Sequence, residues 1–310
     1  METLAFIIAF LISFFTNLFK LPSLPTPIPT PTPVTVTVTV TPSPTPTPTP
    51  VTVTVTVTPS PKPTPKPLPV LQGPPGSGLT TATVHTEKGD FRATILSVDL
   101  GSSRMITDSA SDSDCSDNCP ALSLSDFVTK NGGFAGVNGT YFCPTTYPEC
   151  SSKKNAYDFP VYITRLSKWT QGDKLGWAER RAMVYVDGGG AHYLQSANSF
   201  GGATPTAAIV NYPGLVDGGG VQIDDNQSGL SDKQKTVGTK VGIGVRNSNT
   251  VIVVIASSVN MQQFAYVFKS LGATGALNLD TGGSTAMYLN GRYVFGPGRA
   301  LPNAIIFARR

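Results

Sequence analysis

Three regimes of apolar and polar patterning follow one another along the chain. The first is an uncharged apolar run, Leu4–Phe19, within "METLAFIIAFLISFFTNLFK". It is long for a signal-peptide core and slightly short for a membrane span, so it predicts membrane targeting in either case. Glu2 precedes it, no small-x-small cleavage site follows, and the first positive charge is Lys20. Residues 1–20 therefore read as a retained signal anchor, with a cleaved signal peptide as the alternative. The second regime, residues 21–78, alternates Thr with Val or Pro, and "VTVTVTVTPSP" occurs at Val34–Pro44 and again at Val51–Pro61. Proline at every second position fixes φ and removes amide donors. The Pro-Thr parts predict extended polyproline II, a semi-rigid stalk rising ~3.1 Å per residue.

Globular patterning sets in at Leu79 and runs to the end of the chain. Apolar alternation predicts strands at Phe91–Leu100, Gly133–Phe142, Arg181–Val186, Lys240–Val245 and Thr250–Ser257. The two "VDGGG" segments, starting at Val186 and Val216, read as turns after strands rather than phosphate-binding fingerprints. A short helix is expected within Ala121–Gly133, and the clearest helix runs from Asn260 to Leu271. There Asn260 and Gln263 form a capping pair, Phe264, Val267, Phe268 and Leu271 share a face, and Gly272 follows as terminator. Ala273–Leu279 then reads as a buried strand that delivers Asp280 to its C-terminal end. The set predicts an α+β domain over residues 79–310, a twisted, mostly antiparallel or mixed sheet with a few packed helices. Roughly 230 residues are enough for one well-buried core.

Charge changes the picture little: 23 Lys+Arg face 19 Asp+Glu, without the basic stripe of a nucleic-acid binder. Cysteine says more. Cys115, Cys119, Cys143 and Cys150 lie close together downstream of an export signal, which predicts two disulfides in an oxidising compartment, with three connectivities open. A four-cysteine zinc site would need shorter paired spacings. The two histidines, His85 and His192, have no partner pattern, so a Ser-His-Asp triad and a histidine-rich metal site are poor fits. The acidic run Asp108, Asp112, Asp114 and Asp117 and the pair Asp224-Asp225 lack the calcium-loop pattern with its terminal Glu, and read as solvated loops. No metal site or cofactor is assigned; calcium is possible in an extracellular domain but unsupported.

The remaining chemistry centres on "ALNLDTGGSTAMYLNG", Ala276–Gly291. Asp280-Thr281-Gly282 after an apolar strand matches the triplet of aspartic proteases, where two carboxylates share a proton at close range. Only one such triplet is present, so that reading demands an obligate dimer. The Gly-Gly-Ser turn after a buried strand equally suits a sugar or a phosphate.

This segment, with the preceding helix, resembles the closing signature of the phosphodiester glycosidase family. Four further segments resemble the family in its order: "GFAGVNGTYF", "NYPGLVDGGG", "TKVGIGV" and "RALPNAIIF", together spanning most of the domain. Thr281 stands where the family commonly has a glycine, and Lys240 where it commonly has arginine. The cysteine-bearing insert and the stalk lie outside the shared pattern. The resemblance implies an extracytoplasmic hydrolase of a sugar C1–O–phosphate bond in a surface or wall glycoconjugate. Asp280 is the implied base, nucleophile or stabiliser of charge at C1, with Asn138 as its catalytic companion. Lys240 and Arg299 are implied phosphate clamps, and the amides of Gly282 and Gly283 an anion nest. Asn278, Ser284 and Asn303 are implied to fix sugar hydroxyls or the carboxylate. Asn138-Gly139-Thr140 is also a plain turn and a formal glycosylation sequon. A non-catalytic glycan-binding module of the same fold is the alternative.

Overall fold

The computed structural model of this protein describes residues 73–310 except 179, 180, 225, 227 and 228. The expected anchor and nearly all of the expected stalk lie outside the described residues. Residues 73–78 share the stalk's proline-rich composition, yet they pack on the domain. Ser77 is buried, its hydroxyl accepts from the Asp99 N–H at 2.9 Å, and the Ser102 hydroxyl donates to the Pro75 carbonyl at 2.6 Å. The packed domain thus includes Gly73 onward, because side-chain partners downstream satisfy this Pro/Gly-rich backbone.

All strand pairings among the described residues are antiparallel, and they form three sheets. The seven-stranded sheet runs β1 (Gly78–Thr86), β2 (Gly89–Asp99), β13 (Thr250–Val259), β12 (Gly238–Asn247), β14 (Gly275–Asn278), β10 (Gly214–Asp217), β11 (Gly220–Val221). A five-stranded sheet runs β16 (Arg292–Phe295), β15 (Met287–Leu289), β4 (Gly133–Asn138), β17 (Asn303–Arg309), β3 (Ser103–Ser109). The third runs β6 (Lys168–Thr170), β5 (Val161–Ile163), β9 (Ala207–Asn211), β7 (Ala182–Asp187), β8 (Gly190–Leu194). The described residues form three α-helices, α1 (Leu124–Lys130), α2 (Asp232–Lys235) and α3 (Met261–Ser270), of which α1 and α3 pack on the sheets. The architecture is α+β. Both "VDGGG" segments are hairpin turns, joining β7 to β8 and β10 to β11.

One core joins all three sheets: Leu96, Val137, Val184, Ile209, Ile243 and Ile305 belong to a single buried cluster. Period-two alternation decides how the largest sheet is covered on its other face. Along β12, Val241, Ile243 and Val245 enter the shared core, while Gly242 and Gly244 face α3. Those glycines admit Phe264 and Phe268: a Cβ at either position would lie 2.9 Å from the Phe268 ring. Helix α3 is held at its start by a full capping box between Asn260 and Gln263, as its sequence predicts. Helix α1 is shorter than its segment because Ser123 caps it and Leu122 is already committed to a bridge with Leu301.

Candidate active site

The end of β14 meets the end of β4, and Asp280 sits at that junction. Leu279 N–H still bonds along the first sheet, to Val241 O at 2.8 Å, whereas Asp280 N–H crosses to Gly139 O at 3.0 Å. Asn138, wholly buried, fastens both ends of the loop that follows. Its Nδ2 donates to Asp280 O at 2.7 Å and its Oδ1 accepts from the Ala286 N–H at 3.1 Å. With both amide atoms engaged on backbone, Asn138 is a positioning residue and is not accessible as a glycosylation acceptor. Asn303 does similar work at Thr140, two residues after Asn138, accepting from its N–H at 2.9 Å and donating to its hydroxyl at 3.0 Å.

The loop itself resolves the conflict raised by Thr281. Thr281 is extended, at φ −114°, so its β-branched side chain is unstrained, and the left-handed turn falls on Gly282 at φ +71°. Residues 282–284 form one 3₁₀ turn. Gly282 and Gly283 are exposed, and among the described residues their N–H groups have no protein acceptor. Ser284 is buried beneath them and bonds the Asp280 carboxyl.

Asp280 keeps part of its surface open to solvent, but its carboxyl is densely surrounded. Burial raises its pKa to about 7, against the opposing pull of the Ser284 hydroxyl, the Arg299 charge and the Thr281 N–H. A carboxyl titrating there can hold or take a proton at neutral pH. Tyr141 lies beside it: Asn278 Nδ2 donates to the phenol oxygen at 2.6 Å and Gln234 Nε2 at 3.2 Å. Burial, opposed by the Gln234 bond and reinforced by the Asp280 charge, pushes this phenol well above its ordinary value. It stays protonated and also bonds the Thr281 side chain. Asn278 is wholly buried, and its Oδ1 has no protein partner among the described residues.

Cations stand near the site. Arg299 belongs here: its N–H donates to Gly283 O at 3.0 Å, and its guanidinium covers Gly283 so closely that any Cβ there would collide. It lies 5.2 Å from the Tyr147 ring and, among the described residues, pairs with no carboxylate. Lys240 lies in the register of β12 across from Asp280. It is buried, and its Nζ donates to Lys233 O at 3.2 Å and Thr236 O at 3.0 Å, closing the C-terminal turn of α2. These two bonds hold α2. That helix presents Lys233, whose Nζ stands 4.5 Å from the same Tyr147 ring. Tyr141, Tyr147, Lys233 and Gln234 thus join the site. Tyr141 was within reach of sequence, three residues after Asn138 in a quoted motif; the others meet only through tertiary folding.

Other candidate groups have structural partners. The disulfides are Cys115–Cys119 and Cys143–Cys150, and the second closes the loop that carries Tyr147. His85 pairs with Asp90 at 2.8 Å and His192 with Asp187 at 2.9 Å, both away from Asp280. The acidic run is an anchor rather than a solvated loop. Asp108 is wholly buried against Arg165 Nε at 3.0 Å, Asp112 also meets Arg165, Asp114 accepts from the Gln171 N–H, and Asp117 from the Lys154 N–H. Among the described residues no cluster of His, Cys, Asp and Glu is arranged to hold a metal ion.

The antiparallel α+β domain thus carries the Asp280 carboxyl before a glycine turn, with the Arg299 charge acting on it. Residues 131–308, more than half of the chain, match the phosphodiester glycosidase family, and the chain belongs to it. Among solved structures it is similar to the zebrafish N-acetylglucosamine-1-phosphodiester alpha-N-acetylglucosaminidase catalytic domain, auto-inhibited by its pro-peptide. The identity is 15%, the coverage 76% of this chain and 83% of that one, and the TM-score 0.57. It is also similar to a hypothetical protein from Synechocystis, at 13% identity and TM-score 0.52 over 76% of this chain. The chain spans 62% of that protein's length. At these identities the two structures speak for the fold alone. No curated protein matches the chain.

Proposed function

We propose that this domain hydrolyses a glycosyl phosphodiester, the sugar C1–O–phosphate linkage, in a surface or wall glycoconjugate outside a membrane. The observation that carries the reading is the Asp280 carboxyl, raised to about 7 and set between Ser284 and the unpaired guanidinium of Arg299. A phosphate leaves readily as an anion, so cleavage needs charge stabilisation more than strong acid assistance. Arg299, Lys233 and the N–H groups of Gly282 and Gly283 take the charge that develops on the departing oxygen. Ionised Asp280 acts on the C1 side, as base, nucleophile or stabiliser of positive charge. Asn138 and Asn303 hold the loop, and buried Asn278 positions the Tyr141 phenol beside Asp280. The C1–O electron pair leaves with the phosphate, and water supplies the new hydroxyl at C1.

Family membership supports the reaction class, and the zebrafish enzyme of this fold acts, by its name, on an N-acetylglucosamine phosphodiester. Two disulfides fit an extracellular or lumenal compartment. Residues 1–20 would hold the domain at the membrane and the Pro/Thr stalk would carry it outward.

The test is sugar release from glycosyl phosphodiesters, α-N-acetylglucosamine first, by the full-length protein and by Asp280→Asn. Turnover that falls by about 10³-fold or more in the variant is expected. Binding of the same compounds by both proteins without turnover by either would make the pocket a non-catalytic glycan module.

A further inference from the structure

A second concave surface begins on the far side of Tyr141. While its phenol oxygen bonds Asn278 and Gln234 beside Asp280, the Tyr141 ring lines a cleft of about 540 Å³ with Phe142, Tyr157 and Phe159. Much of the remaining wall is the cysteine-bearing insert, including Cys115 and Cys143, one from each disulfide. Asp158 and Lys174, paired at 2.7 Å, line both this cleft and an adjoining hollow of about 390 Å³ that ends at Trp177 and Arg181. The two together make a trough leading away from the candidate active site.

Trp177 is 83% exposed, one of three large apolar side chains in solvent among the described residues. Such an indole gains by being covered, and here it stands at the end of a concave surface rather than alone on a convex one. Phe159 continues the aromatic floor, with the Arg181 guanidinium 5.2 Å from its ring. Between the rings lie groups of both signs and an amide: Lys153, Lys174 and Arg181 against Asp158 and Asp173, with Gln171. Aromatic faces alternating with donors and acceptors match a ligand with C–H faces and hydroxyl edges, which is a saccharide. A lipid chain would leave these charges without partners, and a polyanion would meet two carboxylates.

We propose that this trough is a glycan subsite that takes the saccharide units adjoining the scissile linkage, so that the disulfide-bridged insert selects the glycoconjugate. The location of the cleaved bond rests on the reading of Asp280 as hydrolytic; saccharide binding in the trough does not.

The experiment applies full-length Asp280→Asn protein to an array of neutral and acidic oligosaccharides, with Trp177→Ala and Trp177→Tyr added in the same background. Oligosaccharides longer than a disaccharide are expected to bind. Trp177→Ala should weaken them by about tenfold, while Trp177→Tyr, which keeps a stacking ring, stays within about threefold. All three proteins should melt together, since Trp177 packs on little. Fluorescence gives a second readout: the only other tryptophan, Trp169, packs against Tyr162 and Phe200, so a saccharide-induced change that vanishes in Trp177→Tyr reports the trough. An array without bound saccharide, or equal binding by all three proteins, overturns the proposal. If saccharides bind through Trp177 while the unmutated enzyme cleaves no glycosyl phosphodiester, the trough stands and the hydrolytic reading falls. Cleavage with a Trp177-independent array has the opposite meaning.

Discussion

Asp280 binds its proton more tightly folded than unfolded, since its pKa is raised from 3.8 to about 7. For an acid this sign means that ionisation costs stability: the cost is absent below about pH 4, grows between the two values, and is complete above about pH 7. Asp280→Asn, which never ionises, should therefore be the more stable protein at pH 8, by up to a few kcal/mol. Its advantage should shrink as pH falls towards 4, which melting curves across that range will register. The same titration governs rate. With ionised Asp280 as the proposed working form, kcat/KM should rise through a single limb near pH 7. Arg299 holds the carboxyl down, so Arg299→Ala should move that limb upward besides lowering kcat/KM by about 10²-fold or more. A pH–rate profile separates these effects from simple loss of fold. The turn that carries Asp280 was legible in sequence because its residues are local. Lys233 was not: its place beside Tyr147 depends on a helix closed by Lys240 and a loop closed by Cys143–Cys150, and no local pattern announces either.

At the scale of elements, legibility followed how far each depends on its neighbours. Helix α3 has its own caps and its own apolar face, and sequence located it to within a residue. Strand β1 is mostly exposed and rich in Thr, so its sequence continues the stalk's texture; only its nine-residue pairing with β2 makes it a strand. The glycines of β12 carried a signal for close approach without revealing what approaches. That contact gives a stability prediction. Gly244→Val would drive a branched side chain into Phe268 and the Gly275 carbonyl, and overpacking of this kind costs about 1–3 kcal/mol or more. Chemical denaturation should show a lower midpoint with an unchanged slope, whereas Gly176→Ala, at a position with open space, should leave the midpoint where it was.

Across the whole molecule, the site has no private scaffold. Asp280 follows a strand of one sheet, Asn138 ends a strand of another, and the shared core lies between. Loss of sugar-releasing activity in urea should therefore coincide with the global unfolding transition measured by fluorescence, rather than precede it as for a site on a loosely held loop. The same layout suggests a device. Residues 201–204 are an exposed stretch before β9, and a cut there leaves Asn138 and Tyr141 on one fragment and Lys233, Asp280 and Arg299 on the other. Each fragment alone would be silent. Mixed, they would cleave only where both halves had met, so the enzyme divided at Gly201–Gly202 would behave as a molecular AND gate, its product recording an encounter.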